Sequence, residues 1–405
     1  MQVLRLRKGH ILTTDDHRIY GFDVARAVAI MAMVVVNFDV TLDANAGGAP
    51  WIVAAVDFLY GRAAVTFVML AGVSLSLMVR RRGSDRIDQA LRPYLMRRCV
   101  LLLLAGLLIS LWWTADVLHF YALFIASGIW LAQLSDKHLR RLTLCAVAIS
   151  IPVCGILTAA YDQCDLLPCA DDLGWWVRAM LDIFVSRNYS VIPWITFFMT
   201  GMLLGRLTTD NPVFHARLAA IAAAACLAIE VFSNTMSAWA VSHGLPIAGN
   251  AWLTLIRSES FPVSPLFIFS GGAGALAVIS LARLVSTPLQ AARCVFPVAA
   301  FGRCSLTMYV VHLILGKAAG AWLDFHFYTV TTLHALGAAM LFCCVGICFA
   351  VCWLRYCRRG PLETLFYHLA MGRRRRIIPI QPVPCPIVVE KGATGRAAYT
   401  PSHIV

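Results

Sequence analysis

The sequence predicts an all-α fold, a polytopic membrane helical bundle of about ten transmembrane helices. Three observations carry that prediction. The 405 residues are 60% hydrophobic and only 14% charged, with a mean hydropathy of +0.74; a soluble globular chain is nearer ~45–50% apolar and ~25% charged. Apolar runs recur at about the ~20-residue length a helix needs to cross the hydrocarbon core. Lysine and arginine alternate between the intervening loops in step with those runs, the pattern of the positive-inside rule.

The predicted spans are about 20–42, 62–79, 98–114, 117–134, 142–160, 190–206, 216–240, 263–284, 295–316 and 330–354. The first is apolar between charged rims, Asp23 and Arg26 near its start and Asn37 and Asp39 near its end. The second begins at Arg62 and leaves through the basic run VRRRG. The third and fourth, rich in Leu and aromatic residues, are joined by a short polar return around Asp116. A longer segment, 161–189, follows the fifth; its GWWVRAMLDIFVSR portion reads as an interfacial helix with a Trp pair at the headgroup level. The sixth opens on VIPW and the seventh is Ala-rich. The eighth holds SGGAGALA, small residues that let helices approach closely. The ninth contains GRCSLTMYVVHLILG and the tenth CCVGICFAVC.

With the N-terminus placed in the cytoplasm, 27 of the 34 Lys and Arg fall on the inner side and 5 on the outer, while Arg26 and Arg303 lie within spans. This predicts a multi-pass protein of the plasma (inner) membrane with both termini cytoplasmic. Residues 1–18 form a cytoplasmic N-terminal segment, 19–366 the transmembrane domain, and 367–405 a basic, flexible cytoplasmic tail. The same asymmetry accounts for the net charge of +13, so nucleic acid is not a predicted partner. Membrane lipids are one, because the RRRR run at 373–376 suits anionic headgroups. The first apolar run is long and arrives late, which predicts a retained span rather than a cleaved signal. Most of the 14 cysteines sit in apolar runs, no CxxC pair is placed for zinc, and no metal is predicted. Cys164 and Cys169 lie in the outer segment, as a pair or as two thiols.

Ionisable groups inside a bilayer are costly, so each marks a candidate site. Sorted by depth, Asn37, Asp39, Arg62, His119, Arg187, Tyr189, Trp194 and His312 fall at one level near the outer leaflet, on five helices. His119 or His312 beside Asp39 or Asp116 suits general-base work: imidazole titrates near ~6.5, and a carboxylate can orient the ring. An arginine nearby could hold an acidic or phosphate-bearing group. At the inner rim, Asp23 and Arg26 are spaced i, i+3 and can pair across one helix face, which lowers the cost of burial. Arg26 also offers a positive handle to a phosphate-rich cytosolic donor. Arg303, read as lying deeper in the ninth span, complements Asp23, Asp39 or a donor phosphate.

These segments resemble a known family. RIYGFDVARAVAIMAMVVVN is similar to the opening R-x-x-x-x-D-x-x-R-G-x-A-x-x-x-M of bacterial relatives of heparan-α-glucosaminide N-acetyltransferase, and to the wider superfamily of multi-span acyltransferases that modify surface polysaccharides. AVTFVMLAGVSLSLMVRRRG, DVLHFYALF, VIPWITFFMTGMLLGRL and FGRCSLTMYVVH resemble later family segments in the same order, and GPLETLF resembles the closing GPLE of a related family of uncharacterised bacterial membrane proteins. The resemblance implies transfer of an acyl, foremost acetyl, group from acyl-CoA in the cytosol to a glycan of the cell envelope at the outer face. Carried over by motif, it implies donor binding by Asp23, Arg26 and Arg303 and catalysis by His119 or His312; the residues that share the outer level complete the expected site, Asp39 beside the histidine in catalysis and Asn37, Arg62, Arg187, Tyr189 and Trp194 in acceptor binding. There are departures: Ala27 stands where the family has Gly, and LDANAGGAPW after the first span lacks the family's loop histidine. Two other classes stay open, a transporter of a small molecule or lipid and a non-catalytic subunit of an envelope biosynthesis complex. Homo-oligomerisation is left open as well.

Overall fold

The computed structural model describes residues 19–42, 44, 49–80, 87, 91–113, 116–163, 189, 191–207, 211–245, 251–286, 289–325 and 330–372. In chain order its helices are α1 (Tyr20–Thr41), α2 (Pro50–Leu59), α3 (Arg62–Arg80), α4 (Leu91–Ser110), α5 (Leu118–Leu131), α6 (Asp136–Gln163) and α7 (Val191–Leu207). They continue with α8 (Pro212–Ser242), α9 (Ala251–Ile256), α10 (Pro265–Ser286), α11 (Leu289–Arg303), α12 (Ser305–Phe325), α13 (Thr332–Tyr356) and α14 (Pro361–Met371). Among the described residues the fold is an all-α polytopic bundle. Eight helical stretches are long and apolar enough to cross a membrane, with Pro50–Arg80 counted as one, and α5 and α7 are shorter apolar helices. A bilayer core offers no water to backbone N–H and C=O groups, so each crossing closes its own hydrogen bonds as a helix.

Local chemistry sets the helix ends. Asn211 caps α8 by accepting from Val213 N at 2.9 Å, with Pro212 in the first turn. Between α2 and α3 the chain turns at Gly61, whose φ of 69° suits glycine. A Cβ there would also run into Ser260.

The core is built around α3, the most deeply buried crossing. Its main partner is α7. Gly201 and Gly205 place α7 backbone directly on α3: a Cβ on Gly201 would overlap the Met69 carbonyl, and one on Gly205 would meet Ser76 and Val73. Gly72 of α3 meets the Phe198 carbonyl reciprocally. This is the close approach that small residues permit where lipid supplies no hydrophobic drive between helices. α1 touches α3, α10, α11, α12 and α13 and is the second organising rod. Call the end at which α1 begins the near end, and the other the far end. Gly21 against Arg283 and Gly302 against the Asp23 carbonyl mark the near end; Gly316 and Gly320 against Phe38 and Thr41 mark the far end.

The structure corrects the predicted ninth span. The apolar run 295–316 is not one helix: α11 stops at Arg303, Cys304 is a turn, and α12 restarts at Ser305. Arg303 therefore lies at a helix end, where its Nη2 donates to the Arg358 carbonyl at 2.9 Å, instead of deep within a span. Apolarity alone conceals such a break, because both halves stay buried. The crossing part is Ser305–Leu323. α14 also continues to Met371, five residues past the predicted end of the transmembrane domain at 366. The predicted interfacial helix and Cys164 and Cys169 lie outside the described residues, as does most of the tail.

Candidate functional site

A cavity of about 330 Å³ opens toward the far end. α1 contributes Met33, Val36, Asn37 and Val40, and the α2–α3 turn contributes Leu59 to Gly61. Trp113, Val117, Tyr189, Phe261 and Tyr309 complete a wall rich in aromatic rings. That size is within the ordinary range of small-molecule sites, which are mostly apolar with a few directed polar groups. Here Asn37, Tyr60 and Tyr309 are those groups.

The most connected polar group beside the cavity is Asp116, which is fully buried. Its Oδ1 accepts from the Tyr309 hydroxyl at 2.7 Å. Its Oδ2 accepts from Leu118 N at 3.0 Å and His119 N at 3.2 Å, and faces His119 Nδ1 at 2.9 Å. The backbone bonds tie the carboxylate to the first turn of α5, so the turn that starts the helix also sets the carboxylate. A proton on Nδ1 toward Asp116 leaves Nε2 as the basic nitrogen of a neutral imidazole, the arrangement of an oriented general base. His119 packs its backbone against Gly106 of α4 and its ring on Phe120, with centroids 4.1 Å apart. The His119 ring is not part of the cavity wall; Tyr309, on the other side of Asp116, is.

His312 lies one helical turn beyond Tyr309 and is fully buried. Its Nδ1 faces the Met308 carbonyl at 3.1 Å and so carries the proton, and Nε2 accepts from Asn37 Nδ2 at 2.9 Å. Both nitrogens are engaged, and the ring holds the Asn37 amide at the cavity wall. The Tyr309 and His312 rings are 5.4 Å apart, edge to face. The fold thus gathers His119, His312 and Asn37 around Tyr309 and Asp116, from α1, α12 and the start of α5.

Other predicted site residues are distributed as follows. Asp39 Oδ2 accepts from the Tyr60 hydroxyl at 3.2 Å, and Tyr60, not Asp39, faces the cavity. Asp39 Oδ1 is buried without a hydrogen-bond partner among the described residues. Arg62 is turned away from the cavity into a buried cluster: it pairs with Glu230 and donates to Phe58 O and Ser270 Oγ at 2.8 Å each and to Ser258 Oγ at 3.2 Å. Tyr189 meets Trp194 and Phe261 edge to face at 4.8 and 5.3 Å, with Trp194 fully buried behind it. Burial pushes the Tyr189 phenol above its ordinary range, and the Asp116 carboxylate adds to the rise. Arg187 lies outside the described residues.

At the near end, Arg26 Nη1 pairs with Asp23 at 2.5 Å and Nη2 donates to Ser74 Oγ of α3 at 2.6 Å. Asp23 is buried, while the Arg26 side chain keeps 25% of its surface exposed. Arg283 is buried beside them, its guanidinium 5.2 Å from the Phe22 ring centroid. Among the described residues no three His, Cys, Asp or Glu side chains converge as a metal cage would require.

Sequence reasoning did not single out Tyr309, Tyr60, Glu230 or Arg283. Glu230 carried a usable signal, an acidic residue within a predicted span. Tyr309 carried its place in the segment FGRCSLTMYVVH, three residues before His312.

The family of the catalytic region of heparan-alpha-glucosaminide N-acetyltransferase matches residues 18–233, more than half of the chain. A second family, described as a protein of unknown function (DUF418), matches residues 206–373. An uncharacterized 39.9 kDa protein in the amylase 3' region of Bacillus acidopullulyticus is 30% identical over 96 residues, which is 24% of this chain and 27% of that protein. No solved structure matches. The extent of the first match, across α1 to α8 with the Asp23–Arg26 pair, Asn37 and the Asp116–His119 turn inside it, shows that the chain belongs to the family of the catalytic region of heparan-α-glucosaminide N-acetyltransferase.

Proposed function

We propose that the protein is a membrane acyltransferase that moves an acetyl group from acetyl-CoA to a glycan of the cell envelope. The observation that carries this reading is the hydrogen-bond chain His119–Asp116–Tyr309, which ends on a hydroxyl in the wall of an aromatic cavity. In it the near end faces the cytosol, both termini lie there, and the membrane is the plasma (inner) membrane. The Arg26 guanidinium, with Arg303 close to the α13–α14 turn, offers positive charge to the donor phosphates.

The acceptor, with its hydroxyl or amine as X–H, occupies the cavity against the aromatic rings. Asn37, held by His312, and Tyr309 contact it. As the acceptor attacks the thioester carbonyl, its proton passes to the Tyr309 oxygen while the Tyr309 proton moves to the Asp116 carboxylate, which His119 Nδ1–H holds in place. The X–C bond forms, the C–S bond breaks, and the coenzyme A thiolate takes up the proton released. Lining up acceptor and thioester in a water-poor site is the other contribution the protein makes. The histidine missing from the loop after α1 is replaced in this reading by the Asp116–Tyr309 pair, whose carboxylate His119 orients through Nδ1–H.

Mass spectrometry of envelope glycans from cells with and without the gene tests the proposal, repeated with His119→Ala. Acetyl groups should vanish in both cases. Unchanged acetylation after deletion, with acetyl-CoA also unconsumed by the purified protein, overturns it.

A further inference from the structure

α14 does not belong to the cavity, yet it holds the near ends of α12, which lines the cavity with Tyr309, and of α4, which seats His119. The start of α12 leaves backbone N–H groups that its own turns cannot satisfy. A partner from outside the helix has to fill that role. Glu363 of α14 does: Oε1 accepts from Leu306 N at 2.7 Å and Thr307 N at 3.2 Å, and Oε2 accepts from the Thr307 hydroxyl at 2.7 Å. Thr307 Oγ1 in turn accepts from Leu362 N at 3.1 Å. A carboxylate at this position also complements the positive end of the helix dipole. Gly360, which opens α14, has no room for a side chain, because a Cβ would strike the Glu363 carboxylate.

The same short helix is fastened to α4. Tyr367 packs edge to face on Tyr94 at 6.2 Å, and Arg97 Nη1 reaches the Ala370 and Met371 carbonyls at 3.4 Å each. Farther along, α4 carries Gly106, the seat of His119, and α12 carries Tyr309 two residues past Thr307. The two helices strapped together at the near end are therefore those whose farther parts bring His119 and Tyr309 to Asp116.

We propose that Glu363 is a positioning residue: by capping α12 and binding it to α4 through α14, it sets the register of Tyr309 and His312 against Asp116 and Asn37. As a statement about turnover, this rests on the acyltransfer reading above. As a statement about geometry, it does not.

The test is hydrogen–deuterium exchange and acetyl-CoA consumption, with glucosamine as the probe acceptor, on the full-length purified protein and on Glu363→Gln, Glu363→Ala and Leu365→Ala. Leu365 is an exposed α14 residue that makes none of these bonds. Glu363→Ala should speed exchange at 306–310 and also at 117–119, where Val117 N donates to the Tyr309 hydroxyl and the Leu118 and His119 amides to Asp116, while 194–205 of α7 stay protected. Its kcat should fall roughly 10- to 100-fold, the scale of a small misplacement at a reacting site, with KM for acetyl-CoA unchanged. Glu363→Gln keeps one acceptor oxygen and should fall between Glu and Ala. Leu365→Ala should match the unaltered protein. If the Ala variant does not accumulate, the Gln variant decides by the same readouts. Faster exchange confined to 306–310, with 117–119 unchanged, overturns the proposal, as does full kcat in a variant whose α12 amides are exposed. An unaltered protein that consumes no acetyl-CoA counts against acyl transfer, and the response at 117–119 then decides the positioning role alone.

Discussion

Asp116 receives hydrogen bonds from Tyr309, from two amides of its own turn and from His119. A carboxylate so placed is costly to bury and is held by its donors. Two predictions belong at this scale. His119→Ala removes the imidazole that orients that carboxylate and should lower acetyl transfer by about 10²–10⁴, the usual worth of general acid–base catalysis; Tyr309→Phe, which keeps the ring and deletes the hydroxyl, should lower it too, with a loss of stability of about 1–3 kcal/mol because Asp116 and Val117 N lose a partner. Steady-state kinetics beside thermal unfolding check both. Glu230→Ala makes a contrasting prediction. It strands Arg62, only 9% exposed, and should destabilise by about 3–5 kcal/mol. Glu230→Leu with Arg62→Met should recover much of that loss, read as the melting temperature. Part of this chemistry was legible in the sequence. DVLH puts Asp116 and His119 at i, i+3, and both were recognised as acid–base candidates. The choice of Tyr309 over Asp39 as the group in the cavity wall was not legible, because it depends on which way α12 faces.

At the scale of elements, glycine pattern and packing agree. The G-x-x-x-G of α7 turns toward α3, and its two glycines let the backbones touch. Gly201→Val should abolish that approach, since overpacking a filled interface costs about 1–3 kcal/mol or more, and here the clash is with backbone. The expected result is loss of the monodisperse peak in detergent chromatography, whereas Gly337→Ala, which meets open space, should leave it intact. The break at Cys304 is the counterexample. Its sequence reads as continuous apolar helix, and the chain nonetheless stops, because Glu363 and the Arg358 carbonyl supply partners for the groups exposed there. Those partners come from more than fifty residues away, beyond the reach of any local pattern.

At the scale of the whole molecule, the charge asymmetry predicts that Arg26 of α1, Arg80 of α3, Arg283 of α10 and Arg303 of α11 lie on one side of the membrane. A reporter active only in the cytoplasm, fused after Gly372, should be active, and one inserted at 246–250 should be silent. Equal activity at both positions would refute the proposed orientation. The two family matches overlap at residues 206–233, within α7 and α8, and together they span the bundle. The cavity draws on both: Asn37 and Val117 lie in the first match, Phe261 and Tyr309 in the second.

The amino-acid sequence by itself determined the membrane class, the order and approximate bounds of the crossings, and the family. Hydrophobic length and charge in the loops are properties of short stretches, and the bilayer reads them one stretch at a time. It also supplied the pair Asp23 with Arg26, because helix geometry alone brings i and i+3 together, and it offered Asp116 as one of two carboxylates for His119 or His312. Only the tertiary structure decided that Arg62 belongs to Glu230, that His312 holds Asn37, and that a cavity exists between α1, the α2–α3 turn and α12. Those outcomes depend on how each helix is rotated and how far it slides against its neighbours. That is settled jointly by every contact in the bundle and written in no single segment.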